Sequence, residues 1–288
     1  MSAKSPFPLA LPPLLVERAV KLALDEDLGA AGDITTNSII PAEATGEAAI
    51  VARQAGVVAG LDLAEAAFKA LDPGARFTRI VAEGGRVAAG GRIATIAGRT
   101  RALLTGERTA LNFLGRLSGI ATLTASYVDA VSGTAARIAC TRKTTPGLRA
   151  LEKYAVRAGG GVNQRFGLYD AVLVKDNHIA AAGGLAKALT RLASQRGHPV
   201  RIEVEVDTLD QLADALKFPI HAVLLDNMDV ETLRKAVKLA AGRVVTEASG
   251  GVTLETVREI ASTGVDVISV GALTHSPRNL DSSLEWTR

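Results

Sequence analysis

Cysteine is almost missing from this 288-residue sequence: Cys140 stands alone, so no disulfide can form within one chain. A catalytic thiol needs a base held beside it, which no spacing here supplies, so Cys140 reads as a small buried residue. Aromatics make up only 3% of the chain, and lysine and arginine form no run. A nucleic-acid surface usually needs a basic stripe with stacking rings, so that class is set aside. Uncharged apolar runs stay far below the roughly 18 residues that span a bilayer. The N-terminal MSAKSPFPLALPPLLVERAV is broken by prolines and has no continuous apolar stretch. It is expected to be mature sequence, and the protein cytoplasmic. HExxH and clustered Cys/His are absent too, which argues against a dedicated zinc site.

What is present suits a globular enzyme: 48% apolar residues and a net charge of +3. Residues 13–28 have helical spacing, with Leu15, Ala19, Leu22 and Ala23 expected on the buried face and Gly29 as the stop. Gly32 to Thr36 reads as a turn. From Glu47 to Gly98, short apolar runs alternate with glycine pairs, predicting antiparallel strands and one helix near Ala64–Leu71. Residues 101–131 are helical, with Gly115 and Gly119 permitting close helix packing.

Beyond Arg137 the rhythm becomes strand then helix, repeatedly. Strand-like runs occur at RIAC, AVLV, RIEVEV, HAVLL, RVVTEA and DVISV. Helical runs occupy 148–158, 185–194, 209–216, 230–240 and 254–261. This pattern predicts a parallel α/β barrel, complete or nearly so. No GxGxxG follows the first strand, which lowers the dinucleotide-binding alternative.

Barrel chemistry sits where strands end. Here the ends carry Thr141-Arg142-Lys143, Lys175-Asp176-Asn177, Asp226-Asn227, Glu247 to Gly251, and Gly271-Ala272. Arg165 follows a glycine triplet. Glu203 and Glu205 alternate with Val204 and Val206, so both carboxylates should point into the barrel. Buried carboxylates need cations, which Arg142, Lys143, Lys175 or a metal would supply. Gathered cations in turn call for an anionic substrate rich in carboxylate or phosphate. The glycines of Ser249-Gly250-Gly251 and Val270-Gly271-Ala272 lie where barrels commonly bind phosphate. The bland alternative is a lumen closed by structural salt bridges. Lys175 could also form a Schiff base, although nearby carboxylates would hold its proton. His178 is a possible acid or ligand, His198 and His221 look structural, and His275 is ambiguous.

The ordered motifs GDITT, GERTALNFL, TRKTTPGLRALEKYAVRAGGG, Asn163-x-Arg165-x-Gly167-Leu168, VKDNHI, EVEVDTL, LLDNM, EASGG and VGALTHS resemble quinolinate phosphoribosyltransferases along almost the whole chain. The resemblance implies an N-terminal open α/β sandwich over 1–116, an incomplete type II phosphoribosyltransferase-like α/β barrel over 117–275, and a C-terminal segment, 276–288, packing back on the N-terminal domain. It implies transfer of phosphoribosyl from 5-phosphoribosyl 1-pyrophosphate to quinolinate, with Mg²⁺, giving nicotinate mononucleotide, pyrophosphate and CO₂. It further implies a homodimer in which Arg108 reaches the partner's site. By motif, Arg142, Arg165 and Arg108 would hold quinolinate, with Thr141 and Gln164 beside them. Lys143 and Lys175 would hold the phosphoribosyl donor. Glu205 and Asp226 would face the ribose and the metal-bound pyrophosphate, and Lys143, Lys175, Glu205 and Asp226 would form the catalytic set. Ser249, Gly250, Gly251, Val270, Gly271 and Ala272 would cradle the 5′-phosphate. The family motif usually has His where this chain has Gln164, which implies weaker quinolinate binding. A paralogue of the same fold with another acceptor, or a catalytically silent barrel, is the alternative.

Overall fold

The fold is taken from a computed structural model that describes residues 9–195, 197 and 200–287. His198 therefore lies outside the described residues, as do the first eight residues of the N-terminal patch. In chain order the elements begin with α1 (Pro13–Leu28), α2 (Ile34–Ile39), β1 (Thr45–Ala52), β2 (Gly56–Val57), α3 (Leu61–Leu71), β3 (Arg76–Arg79), β4 (Arg86–Val87), β5 (Arg92–Arg99) and α4 (Thr100–Ala130). There follow β6 (Arg137–Ala139), α5 (Arg149–Ala158), β7 (Val172–Val174), α6 (Asp176–Ala182), α7 (Leu185–Gln195), β8 (Ile202–Val206), α8 (Leu209–Ala215), β9 (Ala222–Asp226), α9 (Val230–Ala240), β10 (Val245–Ser249), α10 (Val257–Ala261), β11 (Val267–Ser269), α11 (Ala272–His275) and β12 (Ser282–Trp286).

The chain divides into two compact units. One holds the chain as far as Ala125, Ala150–Gly160 and the segment from Ser276 onward; the other holds Ser126–Arg149 and Gly161–His275. No helix among the described residues is long and apolar enough to cross a membrane.

The first unit is built on an antiparallel sheet in the order β12-β1-β5-β3. Helix α1 packs on α3. Its buried stripe is Val16, Val20 and Leu24 at a four-residue repeat, while Leu22 points outward at 69% exposure. The stripe thus lies one position round from the face expected, because the β-branched valines and Leu24 cover α3 better than the small alanines do. Gly32–Thr36 is not merely a turn. Asp33 accepts the Thr36 N–H at 2.8 Å and caps α2. Gly119 and Gly115 do permit a close approach, but by extended backbone rather than by a helix. A Cβ at Gly119 would lie 2.1 Å from the Arg278 carbonyl oxygen, and Leu280 N–H bonds Gly115 O at 2.9 Å. Helix α5 belongs to this unit even though it follows β6. Its fully buried Glu152 takes the Arg116 guanidinium of α4 at 2.6 Å.

The second unit is a parallel sheet in the order β6-β11-β10-β9-β8-β7. Beyond β6 the sheet is extended by one parallel bridge, Ala139 to Val162. A cavity of about 230 Å³ is lined from every one of these strands and from residues 162–165. The sheet therefore curls round a common lumen and stays open between Val162 and β7: the alternating pattern predicts a barrel complete or nearly so, and the resemblance implies the incomplete one seen here.

Candidate active site

The alternation in β8 sorts its side chains as expected. Val204 and Val206 are buried, whereas Glu203 lines the lumen. Glu205 receives Lys175 Nζ on its Oε2 at 2.5 Å. Glu203 departs from expectation: none of the three predicted cations pairs with it. It hydrogen-bonds instead to Glu247 of β10. Burial, with the facing Glu247 carboxylate, pushes Glu203 up to about 8, although the Arg165 charge pulls the other way. Two carboxyls so placed satisfy each other by sharing a proton, which is why the lumen needs fewer cations here than a count of acids suggested.

Residues 163–165 rest on that pair and its neighbours. Gln164 Nε2 donates to Glu247 Oε1 at 2.7 Å, and Cys140 Sγ donates to Asn163 Oδ1 at 3.2 Å. Arg165 Nη1 donates to Ala171 O at 3.1 Å. Burial and the nearby Arg142 hold Arg165 below the usual guanidinium range. Both Arg142 Nε and Arg165 Nε are buried and have no hydrogen-bond partner among the described residues. Paired guanidiniums with idle donors fit a ligand that brings several anionic oxygens.

Other strand ends supply the remaining predicted residues. Thr141 Oγ1 accepts the Lys143 N–H at 3.0 Å, and Thr274 Oγ1 donates to Lys143 O at 2.7 Å. The Lys143 stem runs past Gly271, where a Cβ would lie 3.1 Å from Lys143 Cδ. Asp226 Oδ2 accepts from Asn227 Nδ2 at 2.8 Å. Asn227 N–H bonds Ser249 O at 2.9 Å, and a Cβ at Gly250 would lie 2.1 Å from Asn227 Oδ1. Gly250, at φ +97°, is thus required both by its backbone and by its neighbour. Val270 is buried, with its N–H on Ala139 O at 2.9 Å, and Ala272 opens the short helix α11. Arg108 belongs to the first unit, exposed on α4.

The histidines separate. Lys175-Asp176-Asn177-His178 is not a loop, because α6 starts at Asp176 and His178 Nδ1 accepts the Lys175 N–H at 3.0 Å. His178 is therefore a helix cap. His221 Nδ1 accepts the Ile202 N–H at 3.0 Å, at the opposite, starting ends of β8 and β9. Sequence reasoning saw Asn163 only as a motif letter with no role and took Glu247 only as part of a strand end. The partner of Glu247, Gln164, lies 83 residues away, and no local signal joins them.

Among the described residues no group of three or more His, Cys, Asp and Glu side chains forms a metal cage. Glu205 and Asp226 at adjacent strand ends fit Mg²⁺ of the kind held by one or two carboxylates and otherwise by phosphate and water.

Residues 33–118 match the family model for the quinolinate phosphoribosyl transferase N-terminal domain, and residues 120–285 match that for its C-terminal domain. The chain is 45% identical to a probable nicotinate-nucleotide pyrophosphorylase (carboxylating) of Bacillus subtilis, over 91% of this chain and 90% of that one. It is 46% identical to a protein of the same description from Synechocystis, over 99% and 97%. Among solved structures, the nicotinate-nucleotide pyrophosphorylase of Francisella tularensis superposes with a TM-score of 0.93 at 39% identity, over 98% of this chain and 100% of that one. Matched in both domains and nearly end to end, the chain belongs to the quinolinate phosphoribosyltransferase family.

Proposed function

We propose that this protein transfers phosphoribosyl from 5-phosphoribosyl 1-pyrophosphate to the ring nitrogen of quinolinate, with decarboxylation, in NAD biosynthesis. Nicotinate mononucleotide, pyrophosphate and CO₂ are the products. The observation that carries the site assignment is the pair of buried, partnerless Nε donors on Arg142 and Arg165. Quinolinate is a planar dianion, and two forked guanidiniums suit its carboxylates. Gln164 adds a neutral donor edge beside them, and Arg108 of a second subunit would complete the anion clamp in a homodimer.

Lys143 and Lys175 hold the phosphoribosyl donor, with Thr141 fixing the Lys143 backbone. Ser249 to Gly251 and Val270 to Ala272 cradle the 5′-phosphate. Displacement at the anomeric carbon builds oxocarbenium character, which Glu205 and Asp226 stabilise from below. Lys175, already neutralised by Glu205, loses part of that pairing as positive charge grows on the sugar, so its own charge turns toward the departing pyrophosphate. When bound, Mg²⁺ would supply further neutralisation of the pyrophosphate, and Glu205 and Asp226 are the residues that would hold it, directly or through water. Once the ring nitrogen carries ribose, the pyridinium accepts the electron pair left by the departing carboxylate. The two arginines have only to keep that carboxylate in place while this happens. A cytoplasmic location belongs to the same proposal.

Acceptor choice tests it. Offered quinolinate, nicotinate and other pyridine acids with the donor and Mg²⁺, the protein should consume quinolinate alone. Turnover of another acid in its place would move the assignment to a paralogue with a different acceptor. Shared sites are tested by mixing inactive Arg108→Ala and Lys143→Ala subunits: activity should partly return, and none returning despite proven exchange of subunits would remove the dimer from the proposal.

A further inference from the structure

Residues 162–165 carry Gln164 and Arg165, yet the sheet hardly holds them. Val162 makes a single bridge to Ala139, and the sheet is open on the side toward β7. A strand without a ladder is placed by whatever its side chains grip. Its side-chain grips include Asn163 on Cys140, Arg165 on the Ala171 carbonyl, and Gln164 on Glu247. The first two reach the segments next to it on either side, at the end of β6 and the start of β7. The third is different, because Glu247 belongs to β10, which is separated from β6 by β11. At 2.7 Å the Gln164–Glu247 bond crosses the lumen and ties the arginine-bearing segment to the opposite wall. Glu247 is only 6% exposed and is itself steadied by Glu203, so it offers a fixed acceptor. A charge-assisted hydrogen bond from an amide to a buried carboxylate is of the stronger kind.

We propose that Glu247 is a positioning residue for the acceptor: by holding Gln164 across the barrel it sets the depth and direction of Arg165, and through them the grip on the aromatic dicarboxylate. It touches no substrate atom. Its role rests on the acceptor reading above. Its effects fall on the dicarboxylate and spare the phosphoribosyl donor, whose 5′-phosphate is held beyond Glu247, by the Ser249–Gly251 turn that ends β10.

The test is a comparison of Glu247→Ala, Glu247→Gln, Gln164→Ala and the Glu247→Ala/Gln164→Ala double variant. Glu247→Ala should raise the KM for quinolinate about tenfold and leave the KM for 5-phosphoribosyl 1-pyrophosphate within about twofold. Glu247→Gln, whose carbonyl still accepts from Gln164, should recover most of the loss. The double variant should be no worse than the poorer single one, as for two residues acting through one bond. Hydrogen–deuterium exchange without substrate gives a second readout: amides of residues 162–166 should exchange faster in Glu247→Ala, and those of β8 and β9 should not. Equal rises in both KM values, additive single effects, or unchanged exchange at 162–166 would each overturn the positioning role. A parent enzyme with no activity on quinolinate would remove the acceptor reading, and the exchange result would still decide whether Glu247 holds the segment. Should Glu247→Ala not fold, Gln164→Ala must by itself reproduce the KM split and the faster exchange, and its failure to do so counts against the proposal.

Discussion

Lys175 Nζ lies 2.5 Å from Glu205 Oε2, so the cation at the end of β7 is already met by a carboxylate of β8. Arg142 and Arg165 have no such partner at Nε. Of these three cations, Lys175 is held within an ion pair while Arg142 and Arg165 carry idle Nε donors among the described residues. A lysine charge that turns from Glu205 toward the leaving group as the reaction proceeds contributes to the transition state more than to ground-state binding. Lys175→Ala should therefore lower kcat/KM on the order of 100-fold, with much of the loss in kcat. Steady-state kinetics over both substrates checks this, and a pure KM effect would assign Lys175 to simple binding.

Gln164→His should lower the KM for quinolinate. Glu247 sits 2.7 Å from Gln164 Nε2, and a carboxylate so near favours the protonated form of an imidazole placed there. The gain expected is about threefold to tenfold, for one added charge-assisted contact. No improvement would mean that the neutral amide already does what the family's usual histidine does.

Arg116 forms an ion pair with the fully buried Glu152. Arg116→Met leaves that carboxylate without its guanidinium and should destabilise the protein by about 3 kcal/mol. Urea unfolding measures it, and a change below about 1 kcal/mol would show that the remaining polar neighbours of Glu152 suffice.

Much of the second unit was legible because local rules fixed it. The β8 alternation alone places Glu203 and Glu205 inside, since period two leaves no other choice once Val204 and Val206 face the helices. Repeated strands and helices gave the barrel for the same reason. Pairings across the barrel were not legible: the Gln164–Glu247 bond depends on how the sheet closes, and nothing near either residue encodes the other. Short helices were missed where polar residues looked like turns. Asp33 and the Lys175–His178 pair cap α2 and α6 with the same side chains that would have made loops. In α1, Leu22 has the spacing of a core residue, and only the position of α3 turns it outward.

Glu203 gives the stability a pH slope. Its folded-state value, about 8, lies above the ordinary 4.5. Between those values the folded state holds a proton that the unfolded state has released, so stability falls as pH rises through that window and levels off above it. Glu203→Gln keeps a hydrogen-bond donor for Glu247 without a titrating group. Its stability relative to the parent should therefore increase steadily from pH 5 to about pH 8. Denaturant midpoints for both proteins across that range check this, and parallel curves would mean that Glu203 is ionised throughout.

The most direct measurement uses quinolinate labelled with ¹³C in the carboxylate next to the ring nitrogen, together with 5-phosphoribosyl 1-pyrophosphate and Mg²⁺. The account predicts labelled CO₂, pyrophosphate and unlabelled nicotinate mononucleotide in equal amounts, with all three lost together in Arg165→Ala. Donor consumption without labelled CO₂, or no nicotinate mononucleotide at all, would contradict it.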